Sequence, residues 1–440
     1  VLGLPAALAL FFAAGFWLAF QLWRADVLRI LVLAAALSGV EWLRGSILTG
    51  FPWNSLGMAL GGNLVLAQSA ALIGTNGLTF FTVALFATPV LVFTKADWRT
   101  RYGVPLTGLV LLAGLYGVGF WRLTAPPSPS VPGVMLRIMQ PDMPLDDRFS
   151  RSHAADIMHR YFELSTKGSY PSPSGLVGIT HVVWPETSFP FLLDSETAAR
   201  AEIANLLKGG VVLIAGAVRA EDIDNGQNRR YFNAIQAMDS SGKIIATADK
   251  AHLVPFGEYL PFSDLLTKLG LRQFVQAPGG FTPAIQRQLM DVPGLPPLVP
   301  LVCYEAIFSS EVIPTGAPRP GLLLNVTNDA WFGLTPGPWQ HFAQARLRAI
   351  EQGVPLVRSA NNGVSAITDG YGRILALLPL GESGVIDGSL PQPLPQTPFS
   401  SLPPLPFAGL VYALLTTGLL LTKRQLTGTS DSRIYTTNDR

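Results

Sequence analysis

Charge is what this sequence has least of. Asp, Glu, Lys and Arg make up 14% of the 440 residues, against about 25% in an average soluble chain. The shortage is local: residues 1–124 hold ten such side chains, whereas residues 125–400 hold forty-four. A net charge of +2 excludes the broad basic face that nucleic-acid binding needs. There is one cysteine, Cys303, so the chain cannot close a disulfide on itself. An unpaired thiol outside the cytoplasm is open to oxidation. Its presence there reads as use, with a small core residue as the plainer alternative. No repeat of short period is present.

What fills the charge-poor third is apolar sequence of membrane-spanning length, about 20 residues per helix. Residues 1–23 carry no charge and read as a first span. Residues 30–40 form a shorter apolar run that ends in Glu41 and Arg44. No charge falls between Gly45 and Phe93, a stretch containing a loop at 51–63 and a span at 77–93. Residues 104–121 and 402–421 read as further spans, with Lys423 and Arg424 after the last. Basic residues favour cytoplasmic loops, so Lys423 and Arg424 place the tail inside and residues 125–400 outside. Tracing back, Lys95, Arg99 and Arg101 fall inside, and Val1 falls outside. The chain starts without Met or a cleavable signal pattern. The expectation is a truncated N-terminus with an odd number of spans before Val1. Three segments result: transmembrane helices at 1–124, an extracytoplasmic domain at 125–400, and a final helix with a cytoplasmic tail at 401–440.

The middle segment alternates short apolar runs with polar or helical ones. Strands are expected at 134–139, 180–184, 211–218, 233–238, 243–247, 298–302, 322–326, 365–368 and 374–378, and helices at 151–164, 197–208 and 341–352. Asp239-Ser240-Ser241-Gly242 and Thr368-Asp369-Gly370-Tyr371-Gly372 are hairpin signals. Strands interleaved with helices predict an α/β domain with mixed sheets. Pro-rich segments at 126–132 and 391–406 read as semi-rigid spacers next to the membrane part.

Three segments put a reactive side chain at the end of a strand or in a turn-rich loop. In His181-Val182-Val183-Trp184-Pro185-Glu186, an apolar strand runs into Glu186, and Pro185 holds that residue out of regular structure. In Asp249-Lys250-Ala251-His252-Leu253-Val254-Pro255-Phe256-Gly257-Glu258, a lysine and a carboxylate sit among apolar and turn residues. In Leu301-Val302-Cys303-Tyr304-Glu305, a thiol leaves a hydrophobic strand beside a phenol and a carboxylate. A thiol is a few per cent ionised at neutral pH, and a nearby base or cation raises its reactive fraction. A fixed ammonium helps most where negative charge develops out of water.

Together these segments resemble the nitrilase, or carbon–nitrogen hydrolase, superfamily. The resemblance implies an α-β-β-α sandwich with Cys303 as nucleophile, Glu186 as general base and Lys250 as oxyanion stabiliser. The stretches WPETSFP, HLVPFGEYLP, CYE, TNDAWFG, GPWQHFAQARLRAIE and RSANNG, with EWLRGSILTGFPW in the membrane part, look like its membrane-bound branch, the apolipoprotein N-acyltransferases. That likeness implies a multi-span inner-membrane enzyme whose catalytic domain faces the periplasm. It also implies a phospholipid acyl donor such as phosphatidylethanolamine, cleaved at sn-1, and a diacylglyceryl apolipoprotein as acceptor. No metal or organic cofactor is implied. By the same likeness Glu258 is a required neighbour of the triad, and Tyr304 and Glu305 flank the nucleophile in functional roles. Glu305 reads equally as a buried hydrogen-bond acceptor. Phe149 stands where the family has Trp, and Trp331 and Trp339 are candidates to line a lipid entrance. His252 and His341 read as structural. The rivals are a membrane-tethered amidase or nitrilase acting on small amides, and a transporter with a large outer domain. Transport favours ionisable groups inside spans, and only Glu41 and Arg44 approach that description.

Overall fold

In the computed structural model the described residues are 3–23, 26–144, 149–168, 175–223, 228–268, 270, 279–314, 316–401, 413, 414 and 417. They divide into two units, one of residues 1–125 and 397–440 and the other of residues 126–396.

In the larger unit, period-two alternation decides which side chain goes where. Eleven strands are present among the described residues: β1 Ser130–Gln140, β2 His181–Trp184, β3 Val212–Ile223, β4 Asn228–Met238, β5 Ile244–Asp249, β6 Leu298–Val302, β7 Leu322–Thr327, β8 Leu356–Ala360, β9 Ser365–Thr368, β10 Ile374–Leu378 and β11 Gly384–Pro391. They form one sheet in the order β11-β1-β2-β3-β4-β5 and another in the order β10-β9-β8-β7-β6. β1, β2 and β3 run parallel, as do β6, β7 and β8, while the outer pairs are antiparallel. Leu136, Ile138, Val183, Val212 and Ile214 of the first sheet meet Leu298, Val302, Leu322, Leu324 and Val357 of the second in one shared core. Their neighbours in sequence, Met139, Val182, Trp184, Leu213 and Ala215, point the other way. There they pack on Ile157, Tyr161 and Leu164 of the helix Ala154–Thr166 and on Ile203 of the helix Thr197–Leu206. Val299, Leu301 and Leu323 likewise face Phe342, Ala345 and Ala349 of the helix Gly337–Gln352. Layers thus run helix, sheet, sheet, helix, as the resemblance implied. Strands buried on both faces need apolar residues at every position, which is why these runs are continuous.

Both expected hairpins form, with Gly242 and Gly372 at positive φ closing the β4–β5 and β9–β10 turns. Two strands escape the sequence reading, β8 and β11, because each carries a charge with too few apolar residues on both sides to show as a run, unlike Arg137 within residues 134–139. Both charges are paired inside the fold. Arg137 of β1 holds Asp387 of β11 through two bonds of 2.8 and 2.7 Å, both side chains fully buried. Its other nitrogen donates to the carbonyls of Ser165 and Gly175 at 2.7 Å.

In the smaller unit, three helical segments among the described residues are long and apolar enough to cross a membrane: Gly3–Gln21, Ala70–Phe93 and Arg99–Leu123. The helix Leu28–Arg44 has 17 residues and does not join them, in keeping with its charged end. The expected span at 402–421 lies outside the described residues apart from 413, 414 and 417. Glu41 and Arg44 are occupied by the backbone that follows them. Arg44 donates to the carbonyls of Phe51 and Trp53 at 2.9 and 3.2 Å, and Glu41 accepts from the Leu56 N–H at 3.0 Å. These two charges fold the loop after their own helix, so neither offers the transport reading a free ionisable group.

Candidate active site

The strand ends at one edge of the sandwich converge on a single buried cluster. Glu186 follows β2 across Pro185 and is 7% exposed. Its backbone crosses β3 so closely that a Cβ at Gly216 would lie 2.4 Å from the Glu186 Cα. Glycine is required there by space alone. One Glu186 oxygen accepts from Asn233 Nδ2 at 2.8 Å and the other from the Asn328 N–H at 2.8 Å. Burial, and then the negative charge of Glu258, push its pKa up, while Lys250 opposes them.

Lys250 follows β5 and is 1% exposed. Its ammonium lies 2.8 Å from Glu258 Oε2 and sits over the Tyr304 ring at 5.4 Å. Burial works against this charge, but Glu258 first, then Cys303 and Glu186, outweigh it and raise the pKa. Glu258 also accepts from the Val254 N–H at 2.8 Å and from Asn233 Nδ2 at 2.9 Å. A single amide nitrogen therefore serves both carboxylates. Its orientation is fixed by chemistry, since the amide oxygen turned toward two carboxylates would be repelled. Sequence reasoning missed Asn233. Its only signal is a polar residue near the start of the largely apolar run Phe232–Met238 of β4.

Cys303 follows β6 and opens the short helical turn Cys303–Ile307. It holds φ at +54°, a region that costs a non-glycine residue about 1–3 kcal/mol and is retained where surrounding structure enforces it. Burial and the Glu186 charge push the Cys303 thiol above its ordinary value, against the pull of Lys250. These shifts favour the thiol form of Cys303, within electrostatic reach of the Glu186 carboxylate and the Lys250 ammonium.

Tyr304 and Glu305 turn inward as framework. The Tyr304 hydroxyl donates to the Leu253 carbonyl at 2.6 Å. Glu305, 1% exposed, accepts from the Ala251 and His252 N–H groups at 3.0 and 2.9 Å, from Arg287 at 2.6 Å and from the Val302 N–H at 2.8 Å. One carboxylate thus joins the backbone after Lys250 to the backbone before Cys303. Of the two readings open at the sequence level, these contacts are those of the buried acceptor. His252 stacks on Phe308 at 3.9 Å and pairs with Glu311 at 2.7 Å. Trp331 and Trp339 are exposed and contribute to none of the three cores, whereas Phe149 packs in part against the outer core of the first sheet. Among the described residues no group of three or more His, Cys, Asp or Glu side chains has the arrangement of a metal site.

Residues 176–396 match the carbon–nitrogen hydrolase family, and residues 1–88 match the apolipoprotein N-acyltransferase N-terminal domain. The chain is 50% identical to an apolipoprotein N-acyltransferase of Rhodopseudomonas palustris, over 96% of this chain and 79% of that protein. It is 47% identical to that of Bradyrhizobium diazoefficiens, over 93% of this chain and 77% of the relative. The corresponding protein of Agrobacterium fabrum is 44% identical over 89% and 72%. Among solved structures, a carbon–nitrogen hydrolase from Helicobacter pylori is similar at 16% identity and a TM-score of 0.41, covering 58% of this chain and 88% of that one.

Proposed function

The chain belongs to the apolipoprotein N-acyltransferase family, and from that membership we propose that it acylates the N-terminal amine of lipoproteins through a thioester on Cys303. It is an acyltransferase, and its family is membrane-associated. In the proposed first half-reaction Glu186 takes the thiol proton as the sulfur attacks the sn-1 ester carbonyl of a phospholipid, with phosphatidylethanolamine as the donor. The carbonyl oxygen becomes an oxyanion beside the Lys250 ammonium. The C–O bond then breaks, Glu186 returns the proton to the departing oxygen, and a lysophospholipid leaves. In the second half-reaction the neutral α-amine of a diacylglyceryl-cysteine acceptor attacks the thioester. Its proton passes to Glu186, the C–S bond breaks, and Glu186 hands that proton to the departing sulfur, which recovers the thiol.

The observation that supports this reading is the buried cluster in which Asn233 ties Glu186 to Glu258 and Glu258 fixes Lys250 at 2.8 Å, with Cys303 within electrostatic reach of both Glu186 and Lys250. A base whose pKa has moved toward neutrality suits proton transfer in both directions. Glu258 acts by aiming the lysine, and Tyr304 and Glu305 by holding its loop against the nucleophile turn. Trp331 and Trp339, apolar and exposed, are assigned to the lipid entrance, and Phe149 borders the helical layer behind the site. The basic residues around the spans favour an inner-membrane, multi-span placement with the catalytic unit facing the periplasm.

The test is to incubate the full chain in detergent with a phospholipid radiolabelled in its sn-1 acyl group and look for a hydroxylamine-labile adduct. The label is expected on the Cys303 peptide and absent in Cys303→Ser. Acyl transfer at near-normal rate in Cys303→Ser would exclude the thioester route.

A further inference from the structure

One buried titratable group has no part in the proton transfers above, and it touches the nucleophile. His341, from the helix Gly337–Gln352, is fully buried, and its Nε2 lies 3.2 Å from the Cys303 carbonyl oxygen. That carbonyl offers only lone pairs, so Nε2 must carry a hydrogen. On the other side of the ring, Nδ1 lies 2.8 Å from Asp329 Oδ1 and 3.2 Å from Arg358 Nη2. The Asp329 carboxylate likewise offers only lone pairs, so the ring meets both partners as a donor, with Nδ1–H on Asp329 and Nε2–H on the Cys303 carbonyl. Burial and then the Arg358 charge lower the pKa of the ring, and the Asp329 carboxylate opposes them.

The groups around the ring are fixed in turn. Asp329 accepts from Arg358 at 2.6 Å and from Thr327 Oγ1 at 2.9 Å. Arg358 also donates to Asn325 Oδ1. Asn325 Nδ2 in turn donates to the Cys303 carbonyl at 3.2 Å and to that of Leu301 at 2.9 Å. Asp329, Arg358 and Asn325 are all buried. The carbonyl of the nucleophile thus accepts two hydrogen bonds from a closed polar network.

A carbonyl and the N–H of the next residue belong to one conjugated peptide group. Hydrogen bonds in series polarise one another, so drawing charge onto the Cys303 oxygen strengthens the Tyr304 N–H as a donor. That N–H immediately follows the nucleophile, the place from which a backbone donor can meet a developing oxyanion. We propose that His341 is a positioning residue for the acylation step: with Asn325 it holds Cys303 in its left-handed conformation and polarises the Cys303–Tyr304 peptide toward the oxyanion.

This inference rests on the thioester reading, so its test follows two reactions of the same sulfur in the full chain. Acylation by a labelled phospholipid builds an oxyanion, whereas S-alkylation by iodoacetamide builds none. His341→Phe is expected to slow single-turnover acylation at saturating lipid about tenfold or more, less than the loss of a direct oxyanion donor. The half-saturating lipid concentration and the alkylation rate should stay within about twofold, and His341→Gln, whose amide can donate to the same carbonyl, should recover most of the acylation rate. If His341→Phe does not accumulate as folded protein, His341→Met is measured by the same criteria. Parallel losses in alkylation and acylation would reduce His341 to a packing role, and unchanged acylation would remove it altogether. Wild-type protein that alkylates but never forms acyl-Cys303 would instead defeat the thioester reading itself.

Discussion

Replacing Asn233 by alanine removes one NH₂ group that two buried carboxylates share, at 2.8 Å from Glu186 and 2.9 Å from Glu258. A hydrogen bond to a charged group is worth about 1.5–3 kcal/mol, and about 1.4 kcal/mol corresponds to one pKa unit. Loss of the bond to ionised Glu186 should therefore raise its pKa by about 1–2 units. The carboxylate already titrates above its ordinary value because of burial and the neighbouring Glu258. It works as a base only when ionised, so acylation falls as pH drops through that pKa. In Asn233→Ala the fall should begin about 1–2 pH units higher, while the rate at alkaline pH returns toward wild type. Single-turnover acylation measured across pH separates this from general damage. A loss of equal size at every pH, or an acid limb that does not move, would refute the reasoning.

Glu186→Gln should act on the two reactions of the thiol in opposite directions. It removes the base and so blocks acylation. It also removes the negative charge that helps to hold the thiol protonated, so iodoacetamide alkylation at pH 8 should accelerate, and slower alkylation would contradict this account. Lys250→Met should slow acylation by about 10²–10³, the cost of one oxyanion donor, as measured by adduct formation on Cys303. Asp387→Asn breaks the buried pair with Arg137 and should cost about 3–5 kcal/mol of stability, read from denaturant unfolding of the full chain in detergent. A smaller loss would mean that the Ser165 and Gly175 carbonyls suffice for the arginine.

How much of this was legible depended on where each residue's partner lies. Glu186 and Cys303 end apolar runs and Lys250 lies among apolar and turn residues, but it was the resemblance of their flanking motifs to a known family that singled the three out. The hairpin at Asp369 was plain because its glycines and carboxylate act within a few residues. β8 and β11 were not, since Arg358 and Asp387 interrupt the apolar pattern and their partners, Asp329 and Arg137, are distant in sequence. Glu305 was ambiguous for a related reason. It is bonded mainly by backbone N–H groups, which leave no trace in side-chain sequence. Asn233 and the ring of partners around His341 needed the folded chain, because their meaning lies in contacts between strands and helices that no local spacing encodes.

The elevated pKa of Cys303 also bears on how the protein survives while idle. Oxidants and adventitious electrophiles react with thiolate far more readily than with thiol. A sulfur that stays protonated until an ester carbonyl arrives presents little of the vulnerable form, even though it is partly open to solvent. With no second cysteine in the chain to form a protective disulfide or to resolve a sulfenic acid, chemical dormancy is the safeguard that the site builds for itself. Under the proposed mechanism, the carboxylate that awakens the sulfur during turnover is also the one that keeps it quiet between turnovers.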